Sequence, residues 1–246
     1  MKALQYLSIF AISAMFVSCA KDPAPFEQLG SAVFIHASPG TGALQVTRDT
    51  ITSAPFTLSS VGYGANSTYL GVPVGSRRFR VWQTTAPTTF IVDRTDNFNL
   101  KDMYTYVLYD TINPTTNRTP VLRLKDDLTP PATGRVHVRF LHLARNAPTV
   151  DVTLLRTSVT PNDSVTLTSR SFIGESPNPE ALQAFTPIPG GLYTAKLKVP
   201  GTQNVITTFT VGTTANPILG AQRIVTLFAT GTTRGTALAL GNARHY

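Results

Sequence analysis

A single cysteine, Cys19, serves a chain of 246 residues, so no disulfide can form within it even in an oxidising compartment that would permit one. Acids are also scarce: 13 Asp and Glu are scattered along the chain and form no paired-carboxylate cluster for acid–base work. No Gly-x-Ser-x-Gly elbow, Walker loop or His-Glu-x-x-His helix occurs. Gly40-Thr41-Gly42 and Gly62-Tyr63-Gly64 lack the further glycine and following helix that dinucleotide binding needs, and read as turns. The expectation is therefore no catalytic residue, no metal site, no cofactor and no enzyme. Runs rich in Ala, Glu, Lys and Leu are missing too, which excludes extended helices, whereas threonine, glycine and proline are plentiful and favour strands and turns.

What is present begins at the amino terminus. Met1-Lys2 is a minimal basic region, Ala3 to Val17 is mostly apolar but short for a bilayer span, and small Ser18 precedes Cys19. Phe16-Val17-Ser18-Cys19 resembles the lipobox of bacterial lipoproteins, with Phe16 where Leu is usual. That resemblance implies a signal peptide over 1–18 and lipidation of Cys19. The lipid would carry at least two acyl chains, which anchor stably because each buried CH₂ contributes roughly 0.8 kcal/mol. Lys21, Asp22, Pro23, Pro25 and Glu27 then make 19–30 a tether. The implied localisation is the outer membrane, lipid-anchored, on its surface or periplasmic face.

Three blocks recur in order along the remaining chain. Val33 to Pro39 with Leu44 to Thr47 parallels Arg139 to Arg145 with Val150 to Thr153. Gly71 to Gly75 with Phe79-Arg80-Val81 parallels Thr186 to Gly190 with Ala195-Lys196-Leu197, and Tyr104 to Tyr109 parallels Arg223 to Phe228. A duplicated domain accounts for all three. Its halves run over 31–127 and 134–246, divided at 128–133, where Asp126-Asp127, a double proline and Gly134 break the strand pattern. Val136, Val138 and Phe140 alternate with His137, Arg139 and Leu141, as in a strand with one face packed and the other wet. Ile224 to Ala229 is apolar on both faces, as in a central strand between layers. The fold class expected is all-β: two tandem β-sandwich, immunoglobulin-like domains after a lipoprotein signal peptide.

At these residues the chain resembles the domain-of-unknown-function 4397 family of bacterial envelope and exported proteins, whose opening pattern is a hydrophobic strand, His-Ala-Ser-Pro, a short loop and an Asp-Val strand. Val33 to Pro39 matches the first part, and Ala147 to Val152 the second. Gln45 stands where the first repeat would carry Asp, and Leu143-Ala144-Arg145 replaces Ala-Ser-Pro in the second. The family has no assigned reaction, so the resemblance implies a fold and an envelope setting only.

Several side chains stand out. His36 and His142 occupy corresponding positions, with Asp151 in the same motif as His142. His137 and His142 are five apart on one strand, hence on opposite faces and unable to chelate together. The expected role of His36, His142 and Asp151 is structural, a ring nitrogen at a strand end satisfying a backbone or Asp group. The formal charge is +8, and Arg77, Arg78 and Arg80 concentrate part of it beside Trp82, a pairing that can bind an anionic ligand or simply form a solvated strand face. Thr50, Thr111 and Ser164 follow Asp and precede an apolar residue, resembling bacterial O-glycosylation sites. No nucleic-acid module is visible. Two functions stay open: a non-enzymatic binding or adhesion module for glycan or protein at the cell surface, and a periplasm-facing structural or assembly lipoprotein.

Overall fold

The computed structural model describes residues 28–49, 56–57, 60–231 and 238–245. Its first eight strands are β1 (Leu29–Ala37), β2 (Leu44–Arg48), β3 (Phe56–Thr57), β4 (Leu70–Pro73), β5 (Gly75–Gln83), β6 (Phe90–Phe98), β7 (Met103–Tyr109) and β8 (Val121–Lys125). They form two sheets, in the orders β4-β1-β7-β8 and β3-β2-β5-β6. The next eight are β9 (Arg135–His142), β10 (Val150–Arg156), β11 (Asp163–Arg170), β12 (Thr186–Pro189), β13 (Tyr193–Lys198), β14 (Val205–Val211), β15 (Ile224–Gly231) and β16 (Leu238–Arg244). Their sheets, β12-β9-β15-β16 and β11-β10-β13-β14, repeat the first pair strand for strand. One short helix, α1 (Pro179–Leu182), interrupts the second unit. The protein is all-β and built from β-sandwiches.

Local chemistry explains these elements. In β13, Tyr193, Ala195 and Leu197 are buried while Thr194, Lys196 and Lys198 are half-exposed, the period-two pattern of a sheet with one packed face. Pro187 and Pro189 cannot donate to a ladder, and β12 is accordingly an edge strand, as is β4 with Pro73. Within each unit one pair is parallel, β1 with β7 and β9 with β15.

The two units stack through their β1- and β9-containing sheets, giving four layers and three apolar cores. Phe34, Phe79, Phe98 and Tyr106 fill the first sandwich, and Val138, Val152, Leu197 and Leu227 the second. Between the units lies a third core, with Ile35, Val107, Tyr109, Leu122 and Leu124 against Leu141, Leu143, Phe228 and Ala243. Both inner sheets are thus buried on both faces, which is why β7 and β15 are apolar on both faces apart from Thr105, Thr226 and Thr230.

Two readings of the sequence need correction here. The face of β9 carrying Arg139 and Leu141 is not wet: Arg139 is 2% exposed and Leu141 fully buried, because the other sandwich covers them. The repeat is also offset from the blocks read in sequence. His36 pairs with Leu108 and His142 with Ala229, so Leu108 is equivalent to Ala229 and not to Leu227. Likewise Leu29 pairs with Pro73 and Arg135 with Pro189, one residue from the equivalence in the block alignment. A shift of two leaves every side chain on its own face, so alternation cannot detect it.

A ring of polar groups crosses the interface beside the third core. Arg139 donates through Nη2 to Asp126 Oδ1 at 3.0 Å and to Thr105 Oγ1 at 3.1 Å, through Nε to Thr226 Oγ1 at 3.0 Å, and through Nη1 to the Gln183 carbonyl at 3.2 Å. Thr105 and Tyr69 donate their hydroxyl protons to Asp126 Oδ2, at 2.7 and 3.0 Å. His245 closes the circuit, its Nδ1 2.6 Å from the Tyr69 hydroxyl and its Nε2 2.7 Å from that of Thr226. The only proton of Tyr69 goes to the carboxylate, so His245 donates from Nδ1 to the phenol oxygen and accepts at Nε2 from Thr226. Phe185 lies 4.4 Å from the Arg139 guanidinium and caps the ring.

The bond from the Thr226 hydroxyl to Nε2 requires a neutral imidazole, and burial lowers the His245 pKa from 6.5 to about 4, partly opposed by nearby Asp126. The unfolded chain therefore binds a proton first as pH falls. The associated stability is complete above pH 6.5 and is lost as pH falls from about 6.5 towards 4, by on the order of 3 kcal/mol. Arg139→Ala, which leaves Asp126 buried without its cation, is expected to cost about 3–5 kcal/mol in urea unfolding, whereas Arg139→Met/Asp126→Leu costs much less. A single-variant loss below about 1 kcal/mol would mean that the pair does not carry the interface.

Candidate functional site

The strand direction brings the two copies of the family motif to one end of the stack. β1 runs from Leu29 to Ala37 and β9 from Arg135 to His142, and Arg145 beyond β9 meets Asp110 beyond β7. The loops following β1, β7 and β9 therefore cluster at the end remote from Leu29.

Each motif loop is stapled by its histidine in the same way. His36 Nδ1 accepts from the Ser38 backbone N–H at 3.3 Å, and His36 Nε2 donates to the Gly42 carbonyl at 2.7 Å. His142 Nδ1 accepts from the Ala144 N–H at 3.3 Å, and His142 Nε2 donates to the Pro148 carbonyl at 3.0 Å. The spacing is identical: N–H two residues on, carbonyl six residues on. Both rings are buried, which lowers their pKa below 6.5 and keeps them neutral. The partners common to both rings are backbone groups, and His36 Nε2 also lies 3.2 Å from the Thr41 hydroxyl. Asp151 does not take part: its carboxylate accepts from the N–H groups of Gly201 at 2.9 Å and Ser169 at 2.7 Å, and these bonds hold it below the usual carboxylate range. Gln45, its counterpart in the first repeat, instead accepts from Trp82 Nε1 at 3.1 Å.

Between the stapled loops lies a cavity of about 90 Å³ lined by Pro39, Asp110, Thr111, Leu143, Ala144 and Arg145. A wider pocket of about 400 Å³ adjoins it, with Asn113, Thr116, Arg118 and Glu175 in its wall. Arg145 belongs to both, bonded to Asp110 at 2.5 Å and to Glu175. The wall is polar and carries both charge signs, with hydroxyl and amide groups beside them. This chemistry can hydrogen-bond a hydroxylated or peptide ligand.

The other residues singled out in the sequence lie apart from this end. Arg78, Arg80 and Trp82 do share a face of β5, but Arg78 forms a fork with Asp93 at 2.6 and 2.7 Å, and Arg80 lies 3.5 Å from the same carboxylate and 4.8 Å from the Phe90 ring. The Arg78 bond holds Asp93 below its ordinary pKa. Arg77 leaves the opposite face, donating to the Pro73 and Val74 carbonyls at 3.0 and 2.7 Å. Much of the cationic field expected there is therefore matched by acids on neighbouring strands. Thr111 is half-buried in the pocket wall and Ser164 is exposed on β11, next to Asp163, which pairs with Arg156. Cys19 and Thr50 lie outside the described residues.

Asp110, Arg145 and the buried ring escaped the sequence reading. Asp126 looked like a boundary charge and Arg145 like a departure from the motif. The available signal was a polar residue inside an apolar run, Arg139 in Val138 to Leu141 and Thr226 in Ile224 to Ala229. Among the described residues no group of three His, Cys, Asp or Glu is arranged to hold a metal, and no helix is long and apolar enough to cross a membrane.

Residues 31–153 match the family described as Domain of unknown function (DUF4397). The chain belongs to this family. The match takes in the first sandwich and continues through the stapled loop of the second into β10, so it spans both histidine staples. No curated protein matches. Solved structures with similarity include a leucine-rich repeat protein of Bacteroides thetaiotaomicron, at 10% identity and TM-score 0.22, covering 86% of this chain and 27% of that one. A candidate cell adhesion protein of Bacteroides fragilis follows at 9% identity and TM-score 0.28, covering 89% and 98%. The Bacillus anthracis TIE protein stands at 15% identity and TM-score 0.23, covering 83% and 34%. This DUF4397 chain thus spans about a quarter of the length of the first.

For either staple, long-range proton–nitrogen NMR at pH 7 should show the ring protonated at Nε2 only, and His142→Ala should cost about 1–3 kcal/mol by leaving backbone groups unpaired. A ring protonated at Nδ1 would contradict the geometry.

Proposed function

We propose that this protein is a non-enzymatic envelope module, anchored in the outer membrane through lipid on Cys19, that binds glycan or protein at the cell surface with its stapled loop end. The observation that carries this reading is direction. The chain enters the fold at Leu29 and reaches the His36 loop only at the far end of β1, so the stapled loops and the pocket around Arg145 face away from the tethered end. Residues 19–28 span at most roughly 35 Å when extended, which holds the first sandwich near the bilayer while the loops project outward. Rigid sheets bearing loops at one end are a common arrangement for recognition.

The second reading is a periplasm-facing structural lipoprotein. Its support is the two-sandwich stack itself, whose apolar middle core suits a strut. Protease treatment of intact cells carrying the tagged protein, with a sealed periplasmic control, separates the two. Cleavage on intact cells is the expected result, and Cys19→Ala should abolish retention in the membrane fraction. Protection until lysis would replace the surface reading with the periplasmic one.

A further inference from the structure

Arg223 and Arg244, at the tethered end of the second sandwich, stand without the acid partners that hold several other arginines. Arg223 directly precedes β15, and Arg244 lies in β16 opposite Val225. Arg223 is two residues before Val225, so both guanidinium groups leave the sheet on the same face. They converge on one neutral acceptor: Arg223 Nη2 donates to Asn216 Oδ1 at 3.3 Å and Arg244 Nη1 to the same atom at 3.2 Å. Arg223 Nη1 is further held by the Pro217 carbonyl. Among the described residues neither guanidinium is paired with a carboxylate. By contrast Arg78 is matched by Asp93, Arg94 by Asp96, Arg145 by Asp110 and Arg156 by Asp163.

One amide oxygen can orient two cations but cannot neutralise them. Partial burial and the charge of Arg223 both disfavour the cationic form of Arg244. Each guanidinium has five N–H donors, and the bonds to Asn216 and Pro217 leave both Nε groups and Arg244 Nη2 available. The turn carrying Asn216 is closed by its own bonds, Thr213 N–H to the Asn216 carbonyl at 3.3 Å and Asn216 N–H to the Thr213 carbonyl at 3.1 Å, so the two forks are positioned in advance.

We infer that Arg223 and Arg244 form an oxyanion site that takes a phosphate group, its oxygens bridging the two guanidinium forks. Two fixed cations suit a tetrahedral anion with several acceptor oxygens better than a single carboxylate edge, which one fork already satisfies. The site lies at the same end as Leu29, since Arg244 adjoins His245, whose ring reaches Tyr69 and the carboxylate that follows β8. A lipid headgroup and a free phosphate ion both carry this chemistry. Only the headgroup source rests on the anchored reading.

The test is thermal unfolding of the full chain at one pH and one ionic strength, with inorganic phosphate against chloride, for wild type and for Arg223→Gln/Arg244→Gln. Phosphate at about tenfold its half-saturating concentration should raise the wild-type Tm by about 3–5 °C and leave the double variant unmoved. In chloride the variant should be at least as stable as wild type, because a repulsion has been removed. Monomeric dihexanoyl-phosphatidylglycerol acting at lower concentration than inorganic phosphate would identify the headgroup as the source, and equal potency would identify phosphate itself. If the double variant does not fold, Arg244→Gln, at the more exposed position, serves in its place. No phosphate-specific shift in wild type, or the same shift in the variant, overturns the site.

Discussion

Taking a guanidinium and a carboxylate out of water costs several kcal/mol per ion, and only excellent geometry with every remaining donor and acceptor satisfied offsets it. Arg139 and Asp126 meet that demand only because the two sandwiches stand in one relative position. Asp126, Thr105 and Tyr69 come from the first unit, and Arg139, Thr226 and His245 from the second. Sliding the inner sheets past one another would leave the apolar middle core in some kind of contact, since hydrophobic burial is non-directional. It would strand a buried charge. The apolar core supplies adhesion between the units, and the polar ring selects the register in which they adhere.

That register has consequences at the loop end. The motif loops after β1 and β9 belong to different sandwiches, yet Pro39, Asp110, Ala144 and Arg145 line one cavity. Tyr63 reaches across to the Gly231 carbonyl, and the Tyr109 ring packs 6.2 Å from that of Phe172. Each histidine rigidifies its own loop without help from the other unit. The pocket, in contrast, exists only between units, so loops that each unit builds separately become a composite surface through stacking. The family match running past the first sandwich into β10 coincides with this shared surface.

Much of the architecture was legible because a strand's period of two is written in side-chain polarity. Tyr193, Ala195 and Leu197 against Thr194, Lys196 and Lys198 specify a strand and its buried face, and β15, with apolar residues on both sides, specifies burial on both faces. Polarity does not name what covers the second face, and Arg139 was therefore assigned to water. Nor does it fix the alignment of β7 with β15, since a two-residue shift preserves every face. The corresponding histidines could be read as strand-end staples, because a ring beside a turn has backbone groups within reach. Their exact partners depend on loop closure and could not. Arg78, Arg80 and Trp82 could be placed on one face by alternation, while Asp93, which binds two of them, arrives from a strand whose register only the fold supplies.

Two sandwiches joined by a buried polar ring and a shared apolar core unfold as one body. Differential scanning calorimetry of the intact chain at neutral pH tests it directly. One transition is expected, with calorimetric and van't Hoff enthalpies that agree. Two resolved transitions, or a calorimetric enthalpy about twice the van't Hoff value, would show that the sandwiches melt independently and that the ring does not couple them.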